Sequence, residues 1–172
     1  MNVLDGFVEV GNTLNYDFWQ YFMNPYFWSG FMGWCVAQTI KMTRGAIRTK
    51  SVDFTYLMST GGMPSAHSSL VVGVFVSLGI GLGWANPITV VASVVATITM
   101  FDAATVRRAA GLQARLLNKM TRQLFKEHRF SAKPLKEMLG HTRTEVLGGM
   151  VTGTIVAILV MLLWKKLEWP GI

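Results

Sequence analysis

The sequence predicts an all-α integral membrane protein: about four transmembrane helices, a cytoplasmic amphipathic helix and an N-terminal interfacial helix. Three observations carry this reading. Of the 172 residues, 51% are hydrophobic, and mean hydropathy is +0.38. Charged residues make up 15%, below the roughly 25% usual for soluble proteins. The 16 Lys and Arg are confined to a few segments between long apolar runs. Length and continuity fit one membrane-embedded domain over 1–172.

Residues 1–20 contain no Lys or Arg and no clean apolar run, so no cleavable signal peptide is expected. Residues 1–23 read as an interfacial segment leading into the first span. A helix crosses the hydrocarbon core with roughly 20 predominantly apolar residues. Four stretches meet that need: about Asn24 to Ile40, Ala66 to Gly83, Pro87 to Ala104 and Thr144 to Trp164. Trp84-Ala85-Asn86 is a tight uncharged turn, making spans two and three an antiparallel hairpin. Residues 41–65 read as a polar loop. Residues 105–143 form a long basic segment in which Ala109 to about Glu127 suits an amphipathic surface helix. Gly79/Gly83 and Gly149/Gly153 have the small-xxx-small spacing of close helix packing.

Four basic residues lie between spans one and two, ten between spans three and four, and two follow span four. Fourteen of the 16 therefore share one side. The positive-inside rule makes that side cytoplasmic and sends both termini outward. Trp19, Trp28, Trp84, Trp164 and Trp169 fall near the opposite interface, as an aromatic belt does. A net charge of +7 distributed this way points to membrane lipids as partners rather than nucleic acid. The single cysteine, Cys35, excludes an internal disulfide, and no Cys/His spacing suits zinc.

The residues able to do chemistry gather on the basic side. Ser59-Thr60-Gly61-Gly62-Met63-Pro64-Ser65-Ala66-His67-Ser68 describes a flexible turn opening into span two, with Pro64 near the first helical position. First-turn amides lack internal partners and form an anion site. Ser65 could add a hydrogen bond there, with His67 one turn in. His141 and Glu145, four apart at the start of span four, share a helix face. A carboxylate on one imidazole nitrogen fixes the tautomer and frees the other as base or nucleophile. Asp102 ends an apolar run, where ionisable groups are usually paired or functional. Arg107 and Arg108 follow it, and the guanidinium fork suits phosphate. Lys41 closes span one on the same face. Two histidines among several cations in one plane favour an oxyanion site, and phosphate is the commonest oxyanion on a lipid.

These residues resemble the type 2 phosphatidic acid phosphatase superfamily, which includes the vanadium haloperoxidases. Pro64-Ser65-Ala66-His67 looks like its Pro-Ser-Gly-His motif. His141 and Glu145 look like the His and acid of its third motif, and Lys41 like the Lys of its first. Ala66 stands for Gly, Glu145 for Asp, Leu135 where that motif has Arg, and Thr49 where a Pro follows Arg48. The chain is closer to a divergent bacterial and plant branch, which it resembles from Gln38 to Gly153. Matching segments include Phe101-Asp102-Ala103, Val106-Arg107-Arg108, Leu117-Asn118 and Leu139-Gly140-His141.

The resemblance implies a phosphatase independent of metals and other cofactors, in a bacterial inner membrane, acting on a phosphorylated lipid. It implies that His141 attacks phosphorus with Glu145 orienting it, and that His67 protonates the leaving group and then activates water. It implies that Lys41, Ser65, Ala66 and Arg107 or Arg108 bind phosphate, supported by Gly61, Gly62 and Asp102. Phosphatidylglycerophosphate, polyprenyl phosphate and phosphatidic acid all fit. The altered motifs leave a second class open, a non-enzymatic lipid-phosphate binding or transport protein. His128 reads as surface. Homo-oligomerisation is left open.

Overall fold

The computed structural model describes residues 21–50, 62–124, 135 and 140–167. Expectations placed on residues 1–20 (Trp19 among them), Gly61, His128 and Trp169 lie outside the described residues. Those described form five α-helices and no strand: α1 (Pro25–Thr49), α2 (Ala66–Leu82), α3 (Pro87–Ala104), α4 (Val106–Leu124) and α5 (Arg143–Lys166).

The helix starts follow from capping chemistry. Asn24 and Asn86 each accept a hydrogen bond from the second residue on, at 2.9 Å, and each precedes a proline at the first helical position. Proline there loses only an N–H that had no partner. In α2 the cap is Ser65, which puts Pro64 one residue before the cap instead of at the first turn. The Met63–Pro64 peptide is cis.

The largest departure from the sequence reading is α1, which continues to Thr49 where a polar loop was expected from residue 41. Lys41, Arg44 and Arg48 therefore lie on a helix. The reason is a stripe at four-residue spacing, Ser29, Gly33, Ala37, Lys41 and Gly45, all buried. Small residues hold that face against the neighbouring helices across the polar boundary. Similarly, α4 begins immediately after Thr105, which separates it from α3 by one residue.

Helix α2 is the centre of the bundle and packs against α1, α3 and α5; α5 also packs against α1, whereas α4 meets only α3 among the helices. Close approach is obligatory around α2. A Cβ on Gly33 would lie 2.9 Å from the Ser69 carbonyl, one on Gly153 3.0 Å from Ser69 Cα, and one on Gly149 2.7 Å from Ser68 Cβ. Without a hydrophobic force between helices in lipid, such backbone proximity is what association rests on. The Gly79/Gly83 pair does something else. Gly79 lies under the Trp84 ring, and Gly83 ends α2 at φ 93, a conformation that disfavours side chains.

The outer surface is apolar. On α3, Ile88, Val91, Val94, Val95, Ile98 and Phe101 are each at least half exposed, as are Leu147, Val151, Ile155, Leu159 and Leu162 on α5. A soluble monomer rarely exposes continuous apolar faces of this extent. Two helices among the described residues, the run Pro87–Arg122 and Arg143–Lys166, are long and apolar enough to cross a membrane; Ala66–Leu82 is apolar but shorter.

Candidate active site

Two hydrogen bonds and one electrostatic coupling draw the helix ends into one site. The Ser65 amide, at the start of α2, donates to the carbonyl of Glu145 in the first turn of α5 at 2.9 Å. The His141 amide donates to the carbonyl of Ala103, in the last turn of α3, at 3.0 Å. Lys41, buried at 5% exposure on α1, lies within electrostatic reach of Glu145 and of both histidines. The candidate residues of four helices thus share one end of the bundle. Trp28, Trp84 and Trp164 belong to the helix ends away from it.

His141 is the most constrained group. Its side chain is 3% exposed, and its Nδ1 lies 3.2 Å from Glu145 Oε2. A carboxylate can only accept, so the neutral imidazole carries its proton on Nδ1 and its lone pair on Nε2. That Nε2 is buried without a hydrogen-bond partner. Burial holds the His141 pKa below the ordinary imidazole value; the Glu145 hydrogen bond opposes this, and the charges of Lys41 and Arg107 add to it. Neutral imidazole with a free lone pair is the form that can attack an electrophile.

The Glu145 carboxylate is itself fixed. Thr142 caps α5, accepting from the Glu145 amide at 3.3 Å while its own amide donates to Glu145 Oε2 at 2.9 Å. One carboxylate oxygen therefore serves a reciprocal cap and orients the imidazole. Thr142 was absent from the sequence candidates, although Thr-x-x-Glu is a readable capping-box signature.

His67, on the first turn of α2, is exposed, and its ring centroid lies 6.4 Å from that of His141 at an interplanar angle of 60°. The α2 amides of Ala66 and His67 precede the first intrahelical hydrogen bond, which Ser69 donates to Ser65, so they remain as donors. The Ser65 hydroxyl is fully buried in the cap, accepting from the Ser68 amide at 3.3 Å and its hydroxyl at 3.0 Å. A phosphate contact from Ser65 was expected; the cap takes that hydroxyl away from open surface.

The structure separates the two arginines. Arg107 acts electrostatically on both histidines, and Asp102 accepts its Nε–H at 2.7 Å, leaving the terminal amino groups of the fork. Both arginines are exposed and the backbone of both abuts Gly140, but of the two it is Arg107 whose charge bears on the histidines. Gly140, named from the sequence only within a matching segment, is the second residue to which sequence reasoning gave no role. A Cβ there would fall 2.7 Å from the Arg107 carbonyl carbon, so glycine is what lets the His141 loop close on the α3–α4 junction. A third is Asn118, whose amide pairs with both backbone groups of Leu135 at 2.8 and 2.9 Å, tying Leu135 to α4. Gly62, at φ 92, is exposed with open space around it. Among the described residues no group of three His, Cys, Asp or Glu could hold a metal ion.

A model of the Divergent PAP2 family matches residues 22–156. The chain belongs to that family. The matched region contains every residue of the site described above. The chain is also similar to the "Uncharacterized membrane protein YuiD" of Bacillus subtilis (strain 168), 34% identical over 135 residues that cover 72% of this chain and 85% of that protein. No solved structure matches the chain.

Proposed function

We propose that this Divergent PAP2 family member is an integral-membrane phosphatase of lipid phosphomonoesters, with four membrane-crossing helices, its site facing the cytoplasm and both termini outside. One observation carries the reading: a buried imidazole whose Nδ1 is held by a carboxylate and whose Nε2 has no partner. Leaving a buried polar atom unpaired costs about 1–3 kcal/mol. A ligand that engages the Nε2 lone pair would relieve that cost. Confinement of 14 of the 16 basic residues to one side of the expected spans supports the orientation.

In this mechanism the phosphate lies between the two histidines. The His141 Nε2 lone pair attacks phosphorus, and the ester P–O bond breaks. Protonated His67 gives its proton to the departing alkoxide oxygen. A phosphohistidine results. His67, now neutral, takes a proton from water as the water oxygen attacks phosphorus, and the P–N bond breaks, returning the lone pair to Nε2. Glu145 keeps the proton on Nδ1 throughout. Lys41, Arg107 and the Ala66 and His67 amides stabilise the charge on the three equatorial oxygens. The lipid is of the phosphatidylglycerophosphate, polyprenyl phosphate or phosphatidic acid type.

The test is phosphate release by the purified full chain from a panel of these lipids, with chelator present. Wild type is expected to release phosphate, vanadate to inhibit it, and His141→Ala to abolish it. Full activity of His141→Ala would eliminate the nucleophile. The altered motifs, with Ala66, Glu145 and Leu135 where the broader superfamily has Gly, Asp and Arg, favour a second reading, lipid-phosphate binding or transport without turnover. Lipid binding with no release from any substrate would establish that reading instead.

A further inference from the structure

A recess of about 410 Å³ opens between α1 and α2, away from the polar site. Phe27, Gly30 and Phe31 line it on α1 and Leu70, Val74 and Leu78 on α2, while Tyr21, Asn24 and Tyr26 line its far end, away from the histidines. No charged side chain lines it among the described residues. Its volume falls within the roughly 300–1,000 Å³ of small-molecule sites, which are mostly apolar.

Its placement gives it meaning. At 3.6 residues per turn, His67, Leu70, Val74 and Leu78 fall within about 80° of arc on one face of α2. Leu70 is one turn from His67, a rise of about 4.5 Å, and the recess continues about 12 Å farther to Leu78. That is close to half of the roughly 30 Å hydrocarbon thickness, the depth one leaflet's chains occupy. The recess is built rather than incidental. A Cβ on Gly30 would collide with Val74 Cγ2 and come within 3.3 Å of the Leu70 carbonyl, so glycine forms its floor. The Phe27 and Phe31 rings stack at 5.8 Å and 7° and make a flat wall.

We propose that this groove binds one hydrocarbon chain of the phosphate-bearing substrate, a placement that rests on the phosphatase reading of the His67/His141 site. The phosphate sits at the polar end beside His67, and the chain runs along α2 between the aromatic wall and Val74. Leu70, Val74 and Gly30 set how thick a chain is accepted. The groove thus makes the enzyme selective for long-chain lipid phosphates over short soluble phosphomonoesters that share the same headgroup chemistry.

The experiment has two arms on the purified full chain. In the first, kcat/KM is measured for long-chain and short-chain phosphatidic acid with wild type and Val74→Trp. Filling the groove is expected to lower the long-chain value about tenfold or more, the scale of apolar-pocket discrimination, while the short-chain value holds. Equal losses on both substrates, or no long-chain loss, overturn the proposal. In the second arm, phosphatidic acid with a photoreactive group in its chain is cross-linked to wild type. Labels concentrated on the Phe27–Phe31 and Leu70–Leu78 segments support the groove; labels spread over the outer faces of α3 and α5 overturn it. This arm reads without turnover and without a variant. If neither substrate is hydrolysed, the phosphatase reading fails, and the cross-links still decide the groove.

Discussion

Replacing Glu145 with Gln tests the mechanism at its most specific joint. Gln retains the shape and can still accept from the Thr142 amide, so the α5 cap stays in place. What disappears is the charge facing His141 Nδ1 at 3.2 Å. A hydrogen bond involving a charged partner is worth about 1.5–3 kcal/mol. The Glu145 side chain is 21% exposed, and partial solvent screening favours the lower half of that range. The expected fall in kcat/KM is therefore about tenfold to fortyfold, at roughly 1.4 kcal/mol per factor of ten. The pH profile gives the sharper signature. Glu145 raises the His141 pKa by hydrogen bond and by charge, against burial, which lowers it. Removing the carboxylate lowers that pKa further, so the acid limb of kcat/KM, where His141 becomes protonated and loses its lone pair, moves to lower pH. The assay is lipid-phosphate hydrolysis across pH, with helical content followed in parallel. An acid limb that stays put or moves up would refute the assignment of His141 as the neutral nucleophile.

Three further outcomes follow from the same geometry. Lys41→Met removes a charge that lowers the His141 pKa; the acid limb should move to higher pH and kcat/KM fall on the order of a hundredfold, as for loss of one oxyanion donor, and an unchanged profile would place Lys41 outside the site. Gly140→Ala puts a Cβ 2.7 Å from the Arg107 carbonyl carbon, forcing a shift of about 0.7 Å in the His141 loop; since a misplacement near 1 Å can cost on the order of a hundredfold, activity should drop at least tenfold with the helices intact by circular dichroism. In a Cys35→Ser background, Ile47→Cys near the end of α1 and Ala85→Cys in the α2–α3 turn, both exposed, should label from the cytoplasmic and the outer side respectively; labelling from one side only would break the four-span topology.

The helix cores were legible because their signals are local. Apolar runs between Pro87 and Ala104 and after Thr144 carry their own starts in Asn86-Pro87 and Thr142. The end of α1 was not legible from hydropathy. Lys41, Arg44 and Arg48 read as loop, whereas the signal that governs is packing: a small or buried residue every fourth position from Ser29 to Gly45. The histidine pair was readable as a shared plane, since alternating span direction sends Lys41, His67 and His141 to one side. The choice between Arg107 and Arg108 was not. It depends on Asp102 capturing the Arg107 Nε–H across the Thr105 break, a tertiary outcome of where α3 ends. The capping role of the Ser65 hydroxyl was not legible for a related reason: a serine before a helix can cap it or meet a ligand, and only the packed structure shows the hydroxyl buried in the cap.

The geometry of the histidine site and the bundle packing are one problem with one solution. Ser69 meets α1 at Gly33 and α5 at Gly153, and two turns of glycine and serine on α2 allow both neighbours to approach at backbone distance. That proximity brings the Glu145 carbonyl onto the Ser65 amide. It also carries His141, four residues earlier, to the rim where His67 stands. A bulkier side chain at Gly149 would press on Ser68 Cβ, 2.7 Å away, and push α5 outward from α2. The contact first lost would be the Glu145–Ser65 hydrogen bond, and with it the spacing of the two imidazoles. Small residues in the apolar middle of the helices therefore set the spacing of the groups at their polar ends.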